Sequence, residues 1–107
     1  MAKDLVESLM RQLGGPRDGA LLRFSLANAW LQQKNLAAAV EELNHALRFD
    51  PLYSAAWKIL GRTLTELGQN EAAATAFRSG ITAAKTRGDK QAEKEMMVFL
   101  RRLERQG

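Results

Sequence analysis

Six pairs of residues recur at one interval of 34 positions: Leu26 and Leu60, Ala27 and Gly61, Trp30 and Leu64, Ala39 and Ala73, Leu43 and Phe77, Ala46 and Gly80. Large stays large and small stays small in every pair. A fixed period of this length marks a chain built from copies of one supersecondary unit, each burying its apolar face against a neighbour. The copies are residues 20–53 and 54–87, about two-thirds of the 107 residues.

Within a copy the spacing is helical. In the second, Trp57, Leu60, Gly61 and Leu64 fall on one face of a first helix, and Ala73, Phe77 and Gly80 on one face of a second. Small residues let two helices approach and large ones fill the remaining space, so the unit reads as an antiparallel hairpin. Gly68 supplies the left-handed residue that ends the first helix, and Asn70 is expected to cap the next. The first copy has Lys34 where the second has Gly68, so Lys34 or Asn35 is expected to turn left-handed. Ala, Leu, Glu, Lys, Arg and Gln dominate, and no segment alternates β-branched residues, so the fold class is all-α.

The flanks read as one helix each. Residues 4–13 carry Leu5, Val6, Leu9, Met10 and Leu13 on one face, with Asp4 and Glu7 spaced as a capping box and Gly14-Gly15-Pro16 as the stop. After Gly88, Asp89 is the expected cap of a helix over 89–105 whose apolar stripe is Ala92, Met96, Phe99, Leu100 and Leu103. Continuing the 34-residue register would bury Gln91, Lys94 and Glu95, so this helix reads as a terminal cap and not a third copy. Residues 1–107 are thus expected to form one domain.

The pattern resembles the tetratricopeptide repeat (TPR), a helix-turn-helix unit with an aromatic-x2-Leu-Gly-x2-Tyr run, then Ala-x3-Phe, then Pro. Trp57, Leu60, Gly61, Leu64, Ala73 and Phe77 carry it here, and Pro51 matches the closing proline. Arg23 departs from it, standing where the pattern has an aromatic. The resemblance implies an α-solenoid of two hairpins between an N-terminal helix and a capping helix, and a protein-binding module, adaptor or scaffold, rather than an enzyme. It also implies a concave groove lined by the first helices, which gives Leu21, Phe24, Asn28 and Leu31 in one copy and Ala55, Lys58, Arg62 and Thr65 in the next as candidate contacts for a peptide or helix. Leu21, Phe24 and Leu31 should not stay wet; the N-terminal helix, a second copy of the chain or a partner is expected to cover them. A homo-oligomeric assembly role is the alternative reading. The carboxylate clamp of co-chaperone members is not expected, since Phe24 and Ile59 replace its Lys and second Asn, and Asp89 and Glu93 stand at its later basic places.

A second candidate surface is the basic stripe Lys90, Lys94, Arg101 and Arg105 on the last helix. It suits an anionic partner, although nucleic acid is disfavoured because no aromatic interleaves the stripe for base stacking. The net charge of +4 leans toward acidic partners. With no cysteine and one histidine, His45, thiolate sites, disulfides and His-pair metal motifs are excluded, and no nucleophile has a base beside it. His45 reads as a surface residue, Glu41-Glu42 as the solvated side of a helix, and Met97 and Val98 as a contact surface off the core stripe. No cofactor and no metal are expected. The absence of a signal-like start or a spanning apolar run points to the cytoplasm and no membrane.

Overall fold

The structure is a computed structural model that describes residues 2–106, so residues 1 and 107 of the expected domain lie outside the described residues. Six helices follow in order: α1 Ala2–Met10, α2 Ala20–Gln32, α3 Leu36–Phe49, α4 Ser54–Glu66, α5 Asn70–Arg87 and α6 Lys90–Gln106. No strand occurs among the described residues. The chain divides into two compact units, Met1–Asp50 and Pro51–Gly107.

In the first unit α2 and α3 form the hairpin that the period predicts, with Leu26, Ala27, Ala39, Leu43 and Ala46 wholly buried. The turn between them places Lys34 in the left-handed region at φ 60°, and the Asn35 side chain caps α3 by accepting the Ala38 N–H at 3.1 Å. Helix α1 packs Val6 against Leu26 and Ala29, with Leu9, Leu13 and Trp30 at the edge of the cluster. It begins at Ala2 and ends at Met10, so Asp4 lies inside the first turn instead of at the cap. The expected end at residue 13 is also too late. The amides of Gln12 and Leu13 bond to carbonyls three residues back, and these tight turns carry Leu13 onto the core outside the α-helix.

The place where Arg23 departs from the repeat pattern is an ion-pair junction. Its guanidinium donates from Nε to Asp18 at 2.9 Å and from a terminal nitrogen to Glu42 at 3.0 Å. Asp18 also accepts the Gly14 N–H at 2.9 Å. The Arg23 hydrogen bond, then the Gly14 amide, holds the Asp18 carboxyl down from 3.8 to about 2. Glu42, expected to be solvated, has its side chain 15% exposed and takes part in this junction. In the 34-residue register Arg23 answers to Trp57 and Glu42 to Ala76. The ion pair of one copy therefore stands where the other has a large and a small apolar residue. Each copy also ties its first helix to the loop before it, through Asp18 in one case and through the Trp57 indole N–H donating to the Pro51 carbonyl at 2.8 Å in the other.

In the second unit α4 and α5 pair at Gly61, where a Cβ would run into the Phe77 ring. Gly80 of α5 is pressed from two sides, by the Trp57 Cβ of α4 and by the Met96 thioether of α6. Three helices meet at this glycine. Gly68 is left-handed at φ 77°, but Gln69, not Asn70, is the N-cap of α5, and its side chain makes no capping bond. Asn70 is already helical because Gln69 is the residue in register with Asn35. Helix α5 runs on to Arg87, where Gly88 turns left-handed at φ 75°. Asp89 then caps α6 by accepting the Ala92 N–H at 3.1 Å and takes the Ser54 hydroxyl proton donor at 2.7 Å.

Candidate functional site

On α2 the four candidates share a face, of which Leu21 is 70% exposed while Phe24, Asn28 and Leu31 are half-buried. Helix α1 does not cover Leu21. Its apolar stripe is used on Leu26, Ala29 and Trp30, which lie on another side of α2.

On α4 the corresponding face is engaged by α6. Lys58 donates from Nζ to Glu95 at 2.9 Å, and this bond, ahead of the charge itself, lowers the Glu95 carboxyl below its ordinary value. The Arg62 guanidinium lies 5.3 Å from the centre of the Phe99 ring. Ala55 is half-buried, and the Thr65 hydroxyl bonds to the Gly61 carbonyl of its own helix at 2.8 Å. Lys58 and Arg62 are therefore neither simply solvated nor wholly available to a ligand.

Beyond Arg62 the two helices open into a cavity of about 240 Å³. Phe77, Phe99 and Leu103 give it an apolar floor, and Arg62, Glu66 and Arg102 stand around it with Thr65 and Gln106. The Phe77 and Phe99 rings are stacked, their centroids 5.5 Å apart, and the Arg102 guanidinium lies 6.0 Å from the Phe99 centre. Of these residues only Arg62 and Thr65 were candidates from the sequence. Phe99 reads there as core filler, and Arg102 falls outside the basic stripe. A signal existed, because residues three apart share a helix side and Arg102 follows Phe99 by that spacing.

The basic stripe is exposed along α6 at Lys90, Lys94, Arg101 and Arg105. The structure separates it into two lysines near the start and an arginine group near the end. There Arg101, Arg102, Arg105 and Val98 line a notch of about 210 Å³. Met97 and Val98 are 40% and 41% exposed. His45 is half-buried, its Nδ1 at 3.1 Å from an Arg48 terminal nitrogen. Among the described residues no cluster of His, Asp or Glu could hold a metal ion, and no helix is long and apolar enough to cross a membrane.

Over 101 residues the chain is 44% identical to the TPR repeat-containing protein PA0015 of Pseudomonas aeruginosa, a match covering 94% of this chain and 96% of that protein. The chain belongs to the tetratricopeptide repeat family. Solved structures agree. The solution structure of BPP2914 from Bordetella parapertussis matches with a TM-score of 0.80 at 45% identity, over 95% of this chain and 89% of that one. The TPR domain of Sgt2 from Aspergillus fumigatus matches with a TM-score of 0.79 at 23% identity over 98% of this chain and 67% of that one, a likeness of fold alone. No protein-family profile matches the chain. The fold is thus all-α with two TPR hairpins, preceded by α1 and followed by α6 as the cap, like the TPR hairpin solenoids among its neighbours. As a TPR protein it is a protein–protein interaction module in the general sense of a family that is generally not enzymatic.

Proposed function

We propose that this TPR protein holds a peptide or short helix of a protein partner on the face of α2 that carries Leu21, Phe24, Asn28 and Leu31. The observation that carries this reading is Leu21, a large apolar side chain 70% exposed on that face although the chain's own N-terminal helix lies on the same α2. Covering one such leucine is worth roughly 1.5–3 kcal/mol, which favours an apolar anchor from a partner. Asn28 adds a donor and an acceptor for a peptide backbone.

The test is affinity capture from the native cell with the wild-type chain, with Leu21→Asp/Leu31→Asp, and with Lys90→Glu/Lys94→Glu as a control on another surface. A protein retained by wild type and by the control but lost with the α2 variant, at unchanged helical circular dichroism, supports the reading. Equal retention by all three removes it.

Self-association is kept as a second reading because Leu5, Met10 and Leu21, all in the first unit, are 44%, 47% and 70% exposed. Sedimentation over a concentration series separates the two. A chain that remains monomeric at the highest concentration ends the second reading.

A further inference from the structure

The cavity beside α6 has a lining that names the chemistry of its occupant, and the inference drawn from it rests on the reading of the chain as a protein-interaction module. Its floor is apolar: Phe77 is 1% exposed and Leu103 7%, with the Phe99 ring between. Its rim is cationic. The Arg62 and Arg102 guanidiniums are both drawn over Phe99, at 5.3 and 6.0 Å, and among the described residues neither is within ion-pair distance of a carboxylate. Glu66 is the acidic group on the wall. The neighbouring notch shares Arg102 and adds Arg101 and Arg105, while the adjacent Glu104 is turned to Arg78 at 3.6 Å.

We infer that the cavity lined by Phe77, Phe99 and Leu103 seats one bulky apolar side chain of a partner peptide, and that Arg62 and Arg102 pair with acidic residues flanking that anchor. The volume suffices, since a closed cavity of about 150 Å³ holds benzene and this one is about 240 Å³. Charge complementarity sets the sign of the flanks. A guanidinium laid on an aromatic face is fixed in position yet keeps its N–H edge outward, so it loses little freedom on gripping a carboxylate in two places. The second arginine group carries the same preference along the peptide, through Arg101 and Arg105. Nucleic acid fits less well. The floor of Phe77, Phe99 and Leu103 has no hydrogen-bonding groups for base edges, and it offers no row of exposed rings on which successive bases could stack.

The test uses a random peptide library displayed on phage, selected on the full chain and then read against variants. Expected is enrichment of sequences with Leu, Ile, Phe or Met flanked by Asp or Glu. A synthetic peptide from the enriched set should bind about tenfold more weakly to Arg62→Gln and to Arg102→Gln, with helix content unchanged. The same weakening should follow when its flanking acids become amides or its anchor becomes alanine. In nuclear magnetic resonance titrations the amide shifts should centre on Arg62, Glu66, Phe99 and Arg102. Enriched peptides that lack acids, that are indifferent to both arginine variants, or that are displaced by an oligonucleotide binding at the same arginines overturn the inference. Peptides lost with Leu21→Asp but not with the arginine variants would also overturn it while leaving the α2 reading intact. No enrichment at all would count against both.

Discussion

At the scale of single residues, the informative positions are those where the two copies differ. Arg23 and Glu42 stand at the register positions of Trp57 and Ala76, so an ion pair in the first copy occupies places that are apolar in the second. One acid in that junction, Asp18, titrates at about 2 in the folded chain, below its ordinary 3.8. A depressed carboxylate adds stability that is present above the ordinary value and is lost as pH falls through the folded one. Comparing wild type with Asp18→Asn by thermal unfolding, the gap should be full above about pH 4 and close toward about pH 2; a gap of constant size would contradict the junction. Gly80 is crowded from two helices at once. Gly80→Val must displace Met96 and press on the Trp57 Cβ, and should cost roughly 1–3 kcal/mol in urea unfolding, whereas Gly80→Ala, relieved in part by the flexible Met96 side chain, should cost less.

At the scale of elements, the sequence states the hairpins and their ends clearly because those depend on local chemistry. Lys34 is left-handed where its partner is Gly68, and Gly88 closes α5 after the extra turn. Replacing Lys34 with glycine relieves the crowded conformation but loosens the unfolded chain, so Lys34→Gly should raise stability by a net of about 0.5–1 kcal/mol. The cap of α5 lies at Gln69, one residue before the expected Asn70 and 34 residues after the Asn35 cap of α3. Gln69 makes no capping bond, so Gln69→Asp should stabilise by about 0.5–2 kcal/mol, read as a higher melting temperature. What the sequence did not show was the engagement of α4 by α6. Lys58 with Glu95 and Arg62 with Phe99 are contacts between separate elements, and a helical wheel orders side chains only around its own axis. Charge reversal at Lys58 and Arg62 would therefore loosen the cap as well as repel a ligand. Neutral substitution at Arg62 or Arg102 is the cleaner probe of binding.

At the scale of the whole molecule, the period fixes the family and the family fixes a general role, while the particular surfaces come from side chains that the period does not govern. Leu21 is exposed on a first helix, and the arginine-rimmed cavity exists only because α6 brings Phe99 and Arg102 beside Arg62. A partner with acidic flanks should bind this +4 chain more weakly as salt rises, with the loss reduced in Arg102→Gln. The most direct test places a photoreactive side chain at Leu21, on the proposed face, or at Thr82, exposed on α5, and irradiates the native cell expressing either chain. An adduct with another protein from position 21 and none from position 82 is the predicted result; adducts from position 82 alone, or equally from both, would contradict it.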